Sequence, residues 1–188
     1  MPFRPCLPSL VLASLLLASS ALAVAAPVAG PGVSPPAEAA SAPAAGPRVW
    51  LVGPAGAALT LPEVLRQAAD GDVIELMPGN YTERLTLVNR RLTIRGLRGG
   101  EPARIDGEGK PVDARALWTI QGGEVLLEDL EFRGARSTEG AGAALRLDGG
   151  RLTLRRCRLF DNEHGLVALN QPEARLVIEG GVFGLAPK

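Results

Sequence analysis

Asp161 and His164 stand three residues apart in Asp161-Asn162-Glu163-His164-Gly165, and His164 is the chain's one histidine. A carboxylate beside an imidazole can relay a proton. The same five residues also have turn composition, since Asn and Gly tolerate positive φ. Asp161 and His164 are therefore candidates, and no catalytic residue is assigned. Trp118 and Tyr81 are candidate platforms for stacking a sugar ring, whereas Trp50 is expected to pack inside. Aromatic residues make up 4% of the chain, too few for a long carbohydrate platform. No Cys/His spacing suits a zinc site and no glycine loop suits a phosphate, so neither metal nor cofactor is expected.

Repeated short strands must position these residues. Leu92-Thr93-Ile94-Arg95, Val125-Leu126-Leu127-Glu128, Leu152-Thr153-Leu154-Arg155 and Leu176-Val177-Ile178-Glu179 are variants of one motif, at offsets of 33, 27 and 24 residues. Such a period predicts a solenoid, and the shortage of helix signals makes it β. With the first residue of each motif as position zero, position two holds Ile94, Leu127, Leu154 and Ile178. Position five holds Leu97, Leu130, Cys157 and Gly181, and position seven holds Phe132, Leu159 and Phe183. The slip between positions two and five predicts a corner. Apolar columns stacked in this way would fill a parallel β-helix.

Charges alternate along the columns between them. Arg95, Glu128, Arg155 and Glu179 share position three; Arg98, Glu131 and Arg158 share position six; Asp129 lies beside Arg156 at position four. Ion ladders that fix register are expected, in preference to a charged ligand groove. Cys157 sits in an apolar column and is expected to be a buried, inert thiol.

Thr60-Leu61-Pro62-Glu63 reads as a capping box with proline in the first turn, and Leu61, Val64, Leu65, Ala68 and Ala69 form one apolar stripe. This predicts a helix ending at Asp70-Gly71, placed as an N-terminal cap over the first strands. Ahead of it, Arg4, the apolar run Leu10 to Val24 and Ala23-Val24-Ala25 read as a signal peptide over residues 1–26. Residues 27–47 are an Ala/Pro/Gly-rich segment, expected to be a flexible linker. Residues 48–188 form the expected β domain. Export is therefore expected, to the periplasm or outside the cell, with no membrane span after cleavage. The chain has 20 basic and 20 acidic residues. That balance gives no electrostatic basis for nucleic-acid binding.

Leu61 to Leu76, read as a helix followed by Gly71-Asp72-Val73-Ile74, and then Pro78-Gly79-Asn80-Tyr81, resembles the start of exported members of the pectate-lyase-like superfamily. Leu92-Thr93-Ile94-Arg95-Gly96 and Ile105-Asp106-Gly107 are similar to the next coil in that family. The resemblance covers about Val49 to Phe183. It implies a right-handed parallel β-helix of about four coils with an N-terminal capping helix, cut short at the C-terminus. The family's lyases bind calcium through neighbouring acids, yet here each acid column is interleaved with arginine. Its hydrolase motifs Asn-Thr-Asp, Asp-Asp and Gly-His-Gly are absent.

The function expected is thus an exported surface or binding module without a recognisable active site, with polysaccharide as the partner. The alternative is the N-terminal part of a polysaccharide lyase or hydrolase whose catalytic coils lie beyond Lys188. Leu176 to Phe183 is expected to leave an open edge suited to self-association or to a partner.

Overall fold

The computed structural model describes residues 46–111 and 116–184. The expected signal peptide, and the expected linker apart from Gly46 and Pro47, lie outside the described residues. The chain runs β1 (Val49–Val52), α1 (Leu61–Gln67), β2 (Val73–Leu76), β3 (Gly79–Tyr81), β4 (Leu85–Gly96), β5 (Ala103–Asp106), β6 (Ala116–Glu128), β7 (Leu130–Arg133), β8 (Ala143–Phe160), β9 (His164–Ala168) and β10 (Arg175–Gly184).

These ten strands join in one sheet of order β1-β2-β4-β6-β8-β7-β5-β3, with β9 and β10 also on β8, and it curls into a half-barrel. The strand pairings are parallel. This corrects the expected solenoid, the right-handed parallel β-helix of about four coils. Separate faces would require the strands to break at each corner. Instead β4, β6 and β8 are 12, 13 and 18 residues long and continue through their bends. β8 alone pairs with β6, β7, β9 and β10. The physical reason is that single residues in the left-handed region make the bends. Asn89 lies inside β4, Arg156 inside β8 and Gly180 inside β10, so the ladder resumes at once. The all-β, parallel part of the expectation partly fits, one short helix accompanying the parallel strands.

Leu92, Val125, Leu152 and Leu176 occupy one register position, and Ile94, Leu127, Leu154 and Ile178 another. The slip after position two falls at Asp129, φ 54°, and at Arg156, φ 52°. The next columns differ from expectation. Residues 97–102 loop out between β4 and β5, so Ala103, not Leu97, precedes Leu130. Likewise Arg104, not Arg98, lies in register with Glu131. The 33-residue offset contains that extra loop. Gly96 closes β4 and admits no side chain, since a Cβ there would meet the Asp129 carbonyl oxygen at 2.4 Å.

The apolar columns bury Ile94, Leu127, Leu154, Ile105, Phe132 and Leu159 in one core. Leu61 and Val64 of α1 join it. Glu63 takes hydrogen bonds from the Thr60 N–H at 2.9 Å and hydroxyl at 2.7 Å, which fixes the start of the helix. The extended conformation of Ala68 stops it before the expected Asp70. Cys157 is buried and free, and burial pushes its thiol up to about 11.

The ion pairs follow the rows only in part. Arg95 binds Glu75 at 2.5 Å and Arg155 binds Glu179 at 2.6 Å. Glu128 stands in register with Arg95 and Arg155, yet it binds Arg98 and Arg156. Asp129 binds the same two arginines, both at 2.8 Å. Long arginines reach diagonally, so backbone register does not dictate the partner. Arg155→Glu is expected to lower Tm by about 2–4 °C, because Glu128, the new glutamate and Glu179 then share one column. A melting curve unchanged at low salt would refute the ladder.

Candidate functional site

Asp106, Arg133 and Phe160 are successive partners across β5, β7 and β8, and each ends its strand. The chain then turns at Gly107, Gly134 and Asp161. The Gly107 N–H donates to the Arg133 carbonyl and the Gly134 N–H to the Asp161 carbonyl, so the turns are tied to one another. Gly134 at φ 70° and Asp161 at φ 48° turn through the left-handed region. Gly107 admits no side chain, since a Cβ would lie 2.1 Å from the Gly134 carbonyl oxygen. These turns border a cleft of about 760 Å³.

The cleft carries paired charges fixed in place. The Arg133 guanidinium donates to Asp106 Oδ2 from Nε at 2.8 Å and Nη2 at 2.7 Å, two charge-assisted bonds that converge on one oxygen. Asp106 Oδ1 also accepts from the Glu108 N–H at 2.8 Å. Arg136 Nη2 reaches Asp161 Oδ1 at 2.5 Å, and its Nη1 donates to the Asp161 carbonyl. Glu131 receives Arg104 Nε at 2.8 Å.

Arg158 is different. It stands in register with Glu131 at the cleft wall, but Glu131 is turned to Arg104. The Arg158 side chain is exposed and forms no ion pair among the described residues. Its neighbour Phe160, half-buried, lines the same cleft. Four lining carboxylates, on Asp106, Glu108, Glu131 and Asp161, each have a cationic partner, and Arg158 is left over. The cleft therefore offers one unneutralised guanidinium beside an aromatic ring.

Asp161 lies in this cleft, bound to Arg136. His164 lies on β9 with an exposed side chain, and its backbone N–H donates to the Gly142 carbonyl. No hydrogen bond joins Asp161 to His164 among the described residues. The two residues between them hold the backbone of the preceding turn. Asn162 accepts from the Ala135 N–H and donates to the Phe132 carbonyl, both at 3.0 Å. Glu163 accepts from the N–H groups of Gly142 at 2.5 Å and Ser137 at 2.9 Å. The Gly142 hydrogen bond, opposed by burial and aided by Ser137, lowers the Glu163 carboxyl below its ordinary value. Asn162 and Glu163 thus anchor the preceding turn, and His164 opens β9.

Trp118 and Tyr81 are both fully buried, so neither ring is open to a sugar. Trp118 packs edge-on against Phe132, centroids 5.1 Å apart at 88°, and its Nε1 donates to the Glu83 carbonyl at 3.2 Å. The Tyr81 hydroxyl donates toward the Val52 and Met77 carbonyls at 3.0 and 2.8 Å, and burial, with the Glu83 charge, pushes it up to about 12. Sequence reasoning missed Phe160 as a lining aromatic. It also placed Arg158 in a ladder. The available signal was the loop in the first repeat, which frees Arg104 to take Glu131.

No group of three or more His, Cys, Asp and Glu side chains converges as a metal site among the described residues. No helix among them is long and apolar enough to cross a membrane. No family model matches the chain, and no curated protein matches it.

Proposed function

We propose that the protein is an exported binding module that takes an acidic carbohydrate in the cleft beside Arg158. The observation that carries this reading is the Arg158 guanidinium, free of a carboxylate partner and placed beside Phe160. A guanidinium fits a carboxylate through two parallel hydrogen bonds. An aromatic ring covers the apolar face of a sugar. A uronic acid unit presents both groups. The fixed pairs Arg133–Asp106 and Arg136–Asp161 offer further polar atoms to ring hydroxyls without needing to move. Export rests on the apolar run and Ala23-Val24-Ala25 near the N-terminus.

An exposed ion pair is weak by itself, so measurable affinity requires an oligomer that fills the cleft. Calorimetric titration with uronate oligomers should show binding, with neutral oligosaccharides of equal length binding far less. Arg158→Ala is expected to weaken uronate binding about tenfold, the loss of one charge-assisted contact, and to leave Tm unchanged because Arg158 holds no ion pair. Equal affinity in the variant, or equal affinity for neutral sugars, would contradict the assignment.

A further inference from the structure

The edge strand β10 is exposed along its whole length, and Ile178, Val182 and Phe183 are 46, 52 and 45% exposed. β8 pairs with one side of β10, and the other side carries no strand among the described residues. Two charges on this edge define what fits it. Glu179 ends the register column Glu75, Arg95, Glu128, Arg155, Glu179, in which signs alternate, so the next place in that column suits a cation. Arg175 has the opposite need. It stands in register with Arg151, a like charge, and among the described residues its guanidinium donates only to the carbonyls of Pro172 and Ala174. A carboxylate opposite Arg175 would relieve that repulsion.

We propose that β10 docks against β10 of a second copy of this chain, antiparallel, across a two-fold axis at Val177. Antiparallel partners share a face, so this register sets Arg175 of each copy opposite Glu179 of the other. Leu176 then faces Ile178, and Val177 faces its own symmetry mate. One pairing thus supplies the cation that Glu179 lacks beyond Arg155 and the anion that Arg175 lacks. It also covers Leu176, Val177 and Ile178 and pairs the Arg175–Glu179 stretch of the open ladder. The contact is isologous and self-limiting, so it yields a dimer, whereas head-to-tail pairing of β10 with β1 would build filaments.

The test is sedimentation of the full chain, with Arg175→Glu and Glu179→Arg studied singly and mixed. Wild type should be a concentration-dependent dimer. Each single variant faces like charges at both sites and should self-associate about tenfold or more weakly. An equimolar mixture of the two should recover dimers, because glutamate at 175 of one chain then meets arginine at 179 of the other. Recovery on mixing also shows that each variant is folded. A monomeric wild type overturns the proposal, as does a dimer indifferent to both substitutions or an assembly larger than two. So does a mixture that stays monomeric.

Discussion

Trp118→Ala is expected to lower the unfolding free energy by about 4 kcal/mol and to do so without any ligand present. Trp118 is fully buried within β6 and meets Phe132 of β7 edge to face. Its Nε1 also ties the Glu83 carbonyl to the core. Removal leaves a cavity against Phe132, and that carbonyl loses its donor. Trp118→Phe keeps much of the packing but drops the hydrogen bond, and should cost about 1–2 kcal/mol. Urea unfolding checks both. A Trp118→Ala protein with wild-type stability and lost sugar binding would restore Trp118 as a ligand platform.

Asp72→Ala is expected to cost about 3 kcal/mol, seen as a Tm lower by roughly 10 °C. Asp72 is nearly fully buried and accepts from Trp50 Nε1 and the Arg48 N–H at 2.8 Å each and from the Ala69 N–H at 2.9 Å. One carboxylate thereby ties β1 and the end of α1 to the start of β2, and alanine leaves three donors without it. Burial by itself raises the Asp72 carboxyl, but the Trp50, Arg48 and Ala69 donors outweigh it and hold the group below 3.8. Asp129 is likewise held down, by Arg156 first and by Arg98, against burial. A depressed folded value means that this stability is fully present above the unfolded value near 3.8 and is lost as pH falls through the folded value. Acid unfolding should therefore begin below about pH 4 and be shallower in Asp72→Asn. An identical acid profile in that variant would remove Asp72 from the account.

The apolar columns were legible because their cause is local. Leu92, Val125, Leu152 and Leu176 share a residue type and a strand context, and stacking follows from the repeat. Asp129 and Arg156 marked the bends through the slip in alternation, though not that β8 would continue through Arg156 as one strand. That is decided by φ at a single residue, which residue type hints at for Asn89 and conceals for Arg156. The burial of Trp118 was hidden because Ala116 to Ile120 are all buried, so alternation no longer reports the inward face.

The site was legible only as a list of charges. Position six placed Arg158 beside Glu131, and the structure keeps them in register. What the column could not convey is the competition for Glu131, which Arg104 wins from the other side. A free cation arises here as a remainder after pairing, and a remainder depends on every partner choice around it. Asp161 shows the converse. Its type suited chemistry, and its position spends the carboxylate on Arg136.

Titration of a uronate trisaccharide into labelled protein, with the arginine Nε–H signals followed one by one, tests the cleft most directly. A large saturable shift of the Arg158 signal is expected, while Arg133 and Arg136, already bound to Asp106 and Asp161, shift little. An Arg158 signal that stays in place while the sugar binds would contradict it.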